Sequence, residues 1–356
     1  MRLPAEWEPQ AFVQIAWPHK QTDWHPYLPA AVRCYQDIAR EVSQREDLVV
    51  VTPDPQQTLR LLSDTEGINM ERVHVVEAET NDTWARDHAF ISCTGSENEE
   101  TTLKELMDFC FNGWGLKFAA DLDNQINSKT FDELQKLFEG KTVKYVNAQR
   151  MVLEGGSIES DGCGTLLTTT SCLLAPNRNY YTHKLEAEAD LKRLLHANRV
   201  LWLDHGYLAG DDTDGHIDTL ARLCPNDTIA YVQCLDSADE HYEALHSMEQ
   251  ELKVLRTIEG KPYRLIPLPM PHSIYEGDFD DAVEEEAAQR LPATYANFLI
   301  VNGAVLIPTY GQPQTDEQAK GQLQKAFPDR EIVGIDCRVL IRQHGSLHCV
   351  TMQYPK

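Results

Sequence analysis

The feature that most constrains this chain is a module that recurs along it: strand, tight turn, strand, helix, strand. The plainest copy spans residues 157–203. Ser-Ile-Glu-Ser is followed by Asp161-Gly162, a dipeptide suited to a two-residue hairpin, then by an apolar run at 165–174, a helical stretch at 184–196 and a strand at 199–203. The next copy opens at 219, turns at Pro225-Asn226-Asp227, returns at 228–235, and finishes with a helix near 238–257 and a strand at 263–268. Another opens at 297 and turns at Asn302-Gly303, the strongest short hairpin signal. It continues with 304–308, a helix near 316–326 and 331–335. Two looser copies come earlier. One has a strand over 84–93, an insertion around 96–127, a helix near 131–138 and a strand at 142–146; the other has 12–17, a helix over 28–46, 48–51 and 73–76. Five related units at a period of roughly 50–70 residues point to a repeat architecture closed on itself. A doubly wound sheet would alternate strand and helix with few hairpins, and the hairpins decide against it.

Each unit carries a polar cluster near its first strand. These are Asn81-Asp82-Thr83-Trp84-Ala85-Arg86-Asp87, then Glu154-Gly155-Gly156-Ser157, Asp212-Thr213-Asp214-Gly215-His216-Ile217-Asp218, and Asn302-Gly303. The chain then ends through His344-Gly345-Ser346-Leu347-His348-Cys349-Val350-Thr351. Corresponding strand ends of a closed repeat converge on its axis, so these clusters are expected to meet in one central site. In the third cluster, residues two apart in an extended chain face the same side, which sets His216 and Asp218 toward one cavity. The same residue types are also ordinary in an exposed acidic turn.

Of 356 residues, 56 are acidic and 32 basic, a formal net charge of −24. Nucleic acid and anionic membranes need a basic footprint, so the charge excludes both and favours a cationic small molecule. No apolar run approaches the ~20 residues of a membrane helix, and the start Met-Arg-Leu-Pro-Ala-Glu-Trp lacks a signal-peptide core. Nine cysteines without a Cys-x-x-Cys pair argue against a disulfide framework or a zinc knuckle. Reduced thiols and a cytoplasmic location are expected.

Cys349 stands behind a Gly-Ser pair and before a Val-Thr strand, where a thiol can be presented at a bend. His348 is the nearest base in sequence, but neighbours on a strand point to opposite faces. His216, with carboxylates beside it, is the better partner. Glu154, beside two glycines that let other groups approach, is placed to accept the second N–H of an imidazole. Asp87, Asp218 and Asp212 then remain as acceptors, which match a guanidinium or amidine through planar bidentate pairing. A zinc site built from His216, Asp218 and Cys349 would lack the usual ligand spacings.

The Asn-Asp-Thr-Trp-Ala-Arg-Asp run, the Glu-Gly-Gly run, Gly-His216-Ile-Asp218 and the terminal His-Cys349-Val-Thr together resemble the bacterial-type peptidylarginine deiminase and agmatine deiminase family. The resemblance runs from Trp7 to Pro355 with the motifs in the family's order. It implies an α/β fold, a five-bladed α/β propeller of pseudo-fivefold ββαβ repeats, and a single guanidine-modifying catalytic domain over residues 1–356. It further implies Cys349 as nucleophile, His216 as general acid and base, and Glu154 orienting His216. Asp87 and Asp218 would hold the guanidinium, Asp212 the distal amine of agmatine, and Trp84 would wall the aliphatic stem. Two departures stand out: Trp84-Ala-Arg86-Asp87-His-Ala89-Phe90 where the family often has Trp-x-Arg-Asp-x-Gly-Pro, and His344-Gly-Ser-Leu-His-Cys349 where agmatine deiminases commonly have Gly-Gly-Asn-Ile-His-Cys.

The activity implied is hydrolysis of agmatine to N-carbamoylputrescine and ammonia through a thiouronium on Cys349, a step toward polyamines, with no cofactor and no metal. The expected partner is a small cationic guanidine, with neither nucleic acid nor membrane; association into a homo-oligomer stays open. The alternatives are a peptidylarginine deiminase, an amidinotransferase sharing every motif, and a binder of cationic amines that does not need Cys349.

Overall fold

The computed structural model describes residues 1–96, 102–138, 140–279, 281 and 288–356. It contains five small sheets, and four of them are uninterrupted copies of one unit. Each pairs a first strand antiparallel with a second, which pairs parallel with a third across a helical crossover. One sheet joins β4 (Ile91–Ser96), β5 (Thr102–Cys110) and β6 (Thr142–Val152); the next joins β7 (Ile158–Ser160), β8 (Thr165–Thr169) and β9 (Arg199–Leu203). Then come β10 (Ala221–Cys224), β11 (Thr228–Gln233) and β12 (Arg264–Pro269), and β13 (Leu299–Val301), β14 (Ala304–Thr309) and β15 (Glu331–Asp336). The crossover helices are Ile126–Leu134, Lys184–Leu195, Tyr242–Val254 and Pro313–Ala326.

The remaining sheet is assembled from both ends of the chain. Its strands β1 (Gln10–Ala16), β2 (Asp47–Thr52) and β3 (Val73–Glu77) run parallel, with the helix Leu28–Ser43 between the first two. The antiparallel strand that begins every other unit is supplied by β16 (Thr351–Pro355), in register from Phe12 against Tyr354 to Ile15 against Thr351. The result is a five-bladed α/β propeller, and the two looser copies in the sequence are blades. The earliest copy looked incomplete because its hairpin partner lies at the other end of the chain.

The elements follow from local chemistry. The hairpin of β13 and β14 turns at Asn302-Gly303, where Gly303 has φ +79°. These two strands are apolar almost throughout and nearly wholly buried, as strands covered on both faces should be. The helix Leu28–Ser43 starts with Pro29 in its first turn and buries Ala31, Cys34, Tyr35, Ile38, Ala39 and Val42, the three- and four-residue spacing of one apolar face. Two expected elements differ. The strand expected over 84–93 is a helical turn, Ala85–His88, before β4. The insertion expected around 96–127 contains β5, with residues 97–101 outside the described part.

The segments preceding the first strands, with the end of β8, hydrogen-bond to one another around the ring. The Arg86 N–H donates to the Cys349 carbonyl at 3.1 Å, and Gly156 N–H to Asp87 Oδ1 at 3.1 Å. Thr169 Oγ1 donates to the Gly215 carbonyl at 2.6 Å, Asn297 Nδ2 to the Asp218 carbonyl at 3.4 Å, and His348 N–H to the Asn297 carbonyl at 3.1 Å. This circuit fixes where the polar clusters stand. It also corrects one of them: Asn302-Gly303 is the distal hairpin tip, where Asn302 bonds Gln10 and Glu46. Asn297 holds the equivalent central position. No helix among the described residues is long and apolar enough to cross a membrane, and all nine cysteines are free thiols.

Candidate active site

A cavity of about 920 Å³ opens beside the ring and is lined by Cys349, Asp87, Trp84 and Trp114 and, toward its exposed end, by Asp212 and His344. His216, Asp218 and Glu154 lie directly behind this lining and are fully buried.

Cys349 sits just before β16 and is 4 % exposed. Its Sγ is 3.4 Å from Asn297 Oδ1 and 3.9 Å from Asp218 Oδ2, and its N–H points at the same Asn297 oxygen at 3.3 Å. Burial, Asp218 and Asp87 push the thiol well above its ordinary pKa, which favours the protonated sulfur. Asn297 was not among the candidates in the sequence. Its position immediately before a first strand was the available signal.

Asp87 is fixed from both sides. Its Oδ1 accepts from Gly156 N–H, and its Oδ2 from Trp114 Nε1 at 2.9 Å. Burial, Asp218 and Glu154 raise its carboxyl well above the usual range. A cation placed here would reverse that, because opposite charge favours the ionised form. Trp114, which the sequence reading missed, has φ +54°. An aromatic residue in that region costs about 1–3 kcal/mol unless its surroundings impose it. Gly113 and Gly115 on either side, at φ +68° and +85°, permit the turn.

The loop before β10 is shaped by Asp211, which the sequence reading passed over. Asp211 Oδ1 accepts from Thr213 N–H at 3.0 Å and its Oδ2 from Gly215 N–H at 2.7 Å. Asp214 and Gly215 are both left-handed, φ +66° and +86°. Residues Ile217–Thr219 then form a single 3₁₀ turn rather than an extended strand. His216 and Asp218 nevertheless share one surrounding: a Cβ on Gly156 would stand 2.6 Å from His216 Nδ1 and 3.2 Å from Asp218 Oδ2. Only glycine fits there.

His216 Nδ1 is 3.7 Å from Asp87 Oδ1 and Nε2 is 4.0 Å from Glu154 Oε2, both beyond hydrogen-bond range. Neither ring nitrogen has a partner. Burial takes its pKa down to about 3 against the opposing pull of Asp218, leaving a neutral imidazole able to accept a proton. Glu154 is bonded instead by Arg178, whose Nε lies 2.9 and 3.0 Å from its two oxygens. Burial raises the Glu154 carboxyl and Arg178 opposes the rise. Arg178 also reaches Asp214 Oδ2 at 2.6 Å and the Thr213 carbonyl at 2.9 Å, tying the Glu154 segment to the His216 loop.

Asp218 Oδ2 accepts from His348 Nδ1 at 2.7 Å, while Oδ1 is buried without a partner. Burial would raise its pKa, but the His348 hydrogen bond and charge bring it below the ordinary value. Trp84 is buried, donates through Nε1 to Asp82 Oδ2 at 3.2 Å, and stands against Gly345, where a Cβ would meet its ring at 2.1 Å. Asp212 is half-exposed, with an oxygen 3.9 Å from His344 Nδ1. The structure thus gathers Cys349, His216, Glu154, Asp87, Asp218 and Trp84 tightly, and leaves Asp212 at the open end.

Among the described residues, ligating atoms also approach one another in Glu154, Cys172 and His216, and in Glu6, Glu159 and His348. Arg178 is bonded to the carboxylate of the first trio and Arg222 to both carboxylates of the second. Each trio is therefore charge-compensated by a guanidinium that a metal ion would have to displace.

Comparison with known proteins agrees with this arrangement. The chain is 32% identical over 366 aligned residues to an agmatine deiminase of Pseudomonas syringae pv. tomato, covering 99% of this chain and 95% of the relative. Its fold superposes with a TM-score of 0.85 on a cysteine-to-serine variant of C. jejuni agmatine deiminase solved with substrate bound, at 36% identity over 100% of this chain and 96% of that one. It superposes at 0.86, with 49% identity and coverage of 99% and 98%, on a Porphyromonas gingivalis protein assigned provisionally as an arginine deiminase. With residues 2–355 matching the family model, the chain belongs to the Porphyromonas-type peptidyl-arginine deiminase family.

Proposed function

We propose that this protein is a cytoplasmic agmatine deiminase, with residues 1–356 forming one catalytic domain. The observation that carries the reading is the distribution of acceptors in one cavity. Asp87 stands beside Cys349 at the closed end and Asp212 at the open end, which suits a ligand cationic at both ends.

In this reading the guanidinium lies between Asp87 and the free Oδ1 of Asp218, with its carbon facing Cys349 Sγ. Its charge offsets the two carboxylates that hold the thiol protonated, so binding itself lowers the barrier to thiolate formation. Neutral His216 takes the thiol proton and Sγ attacks the carbon. His216 returns that proton to the departing nitrogen, ammonia leaves, and an S-alkylthiouronium remains. Water then adds, giving its proton to His216, and the C–S bond breaks to release N-carbamoylputrescine and regenerate Cys349. Agmatine and one water become the ureido product and one ammonia. General acid–base help of this kind contributes on the order of 10²–10⁴ in rate. Asp212 meets the distal ammonium and Trp84 packs on the methylene chain.

Arginine in a peptide is the second reading, favoured by the cavity volume of about 920 Å³, near the upper end of small-ligand sites. The test is a panel of agmatine, free arginine and arginine peptides scored for ammonia and ureido product. Agmatine should give the highest kcat/KM with equimolar products. Preference for a peptide, or transfer of the amidino group to an amine without ammonia, would overturn the assignment.

A further inference from the structure

His348 neighbours the candidate nucleophile but faces away from the cavity, into a chain of buried charges. Its Nδ1 is 2.7 Å from Asp218 Oδ2 and its Nε2 is 2.8 Å from Glu6 Oε2. The ring is thus held at both nitrogens, between Asp218 on one side and Glu6 on the other, with Arg222 Nη2 3.0 Å from Nε2. Glu6 is itself anchored: Oε1 accepts from Ile300 N–H at 2.8 Å, and Oε2 also takes Arg222 Nη2 at 2.7 Å. Arg222 in turn holds Glu159 and stacks on Phe298, its guanidinium carbon 4.4 Å from the ring centre.

This chain ends on a carboxylate with one oxygen held and the other free. Asp218 Oδ1 is buried and unpartnered, and a buried polar atom without a partner calls for an explanation. The charged and titratable groups around it are His348, His216, Arg222, Arg86, Asp87 and Cys349. Those around His348 are Glu6, Glu159, Arg222 and Arg86, whose Nε reaches the His348 carbonyl at 3.4 Å. Among the described residues, His348 makes the short side-chain hydrogen bond to the Asp218 carboxylate, at 2.7 Å, with the Cys349 thiol at 3.9 Å from the same oxygen.

We propose that His348 is a positioning residue for substrate binding: clamped between Glu6 and Asp218, it fixes Asp218 as a carboxylate with Oδ2 anchored and Oδ1 free to take a guanidinium N–H. The inference rests on the guanidine reading of the site and adds a role that the nucleophile, base and cation-binding carboxylates do not include. The lowered pKa of Asp218 has this same cause.

The experiment compares wild type, His348→Asn and Glu6→Gln from about pH 6 to about pH 9. Two readouts run in parallel. One is kcat/KM for agmatine. The other is protection of Cys349 from iodoacetamide by ethylguanidine, mapped on the Cys349 peptide, which needs no turnover. Without the clamp, burial raises the Asp218 carboxyl, so it protonates as pH falls and guanidinium binding goes with it. The deficit of His348→Asn should grow at least about tenfold between the alkaline and acid ends in both readouts. Glu6→Gln should shift in the same direction by less, and being isosteric it carries the test if His348→Asn does not fold. Losses equal at every pH, or no loss, would reduce His348 to a structural residue and overturn the proposal. Wild type that ignores agmatine, with pH-dependent ethylguanidine protection still lost in the variants, would overturn the substrate and leave the clamp standing.

Discussion

Replacing Arg178 by methionine should destabilise the protein and disable the site through a single lost charge. Both side chains of the Arg178–Glu154 pair are 0% exposed, so the weak, screened energetics of surface ion pairs do not apply. Removing one member of a buried pair leaves an uncompensated charge and costs about 3–5 kcal/mol. At about 2.1 cal/mol/K per residue, 356 residues carry an unfolding entropy of roughly 0.75 kcal/mol/K, so Tm should fall by about 4–7 °C. The pH dependence has a definite sign. The Glu154 carboxyl is raised in the folded state, and a raised acid contributes stability below its unfolded pKa that is lost as pH rises through the folded value. Without Arg178 the folded value climbs further, so the deficit of Arg178→Met is largest at alkaline pH and shrinks on acidification. Asp214 acts in the same sense: its pKa is lowered despite partial burial, by Lys117 and then Arg178, so the stabilisation it loses is also one present above its unfolded pKa. Calorimetry from about pH 5 to about pH 9 reads both effects, and kcat should drop at least about tenfold because Arg178 no longer ties the Glu154 segment to the His216 loop. A Tm change under about 1 °C, or a deficit independent of pH, would refute the reasoning.

Other outcomes follow from the same geometry. Asp212→Asn should lower kcat/KM for agmatine by at least about tenfold, mainly through KM, since an ammonium left without its partner costs roughly 2–5 kcal/mol and a water-bridged contact less; equal losses for guanidines lacking the amine would remove Asp212 from amine recognition. Gly156→Ala should abolish turnover with the fold retained on circular dichroism, because its Cβ would press on His216 and Asp87; full activity would mean the ring can shift freely. Because burial, with Asp218 and Asp87, raises the Cys349 thiol and a cation offsets the carboxylate part, cationic chloroacetamidine should alkylate Cys349 at neutral pH at least about tenfold faster than neutral chloroacetamide, and Cys349→Ala should fold normally with no turnover. Equal alkylation rates would mean the carboxylates do not govern the thiol.

Local chemistry was legible in the sequence and long-range pairing was not. Asn302-Gly303 marks a hairpin because its two residues are the turn, whereas Asp161-Gly162 marks one as half of a four-residue loop between Ser160 and Thr165. Nothing near Phe12 announces Tyr354 as its cross-strand neighbour. Asn302 carried the stronger motif and drew attention from Asn297, whose importance lies only in its place on the ring. The stretch at 84–88 reads as strand by composition, yet the helical turn is what sets Asp87 between Gly156 and Trp114. Arg178, Trp114 and the Glu6–His348–Asp218 chain join residues 24 to 342 positions apart. Side chains that satisfy buried carboxylates are chosen by the folded neighbourhood, and no periodicity records them.

The blade that joins both ends of the chain couples assembly to chemistry. Cys349 comes two residues before β16, which pairs with β1, and its carbonyl is bonded by Arg86 of the next blade. Four blades could mature as separate hairpin-and-helix units while the thiol is still unplaced. A partly folded or C-terminally clipped molecule would then lack both its clasp and its nucleophile. The strand that closes the ring is thus the same one that carries Cys349 to the cavity.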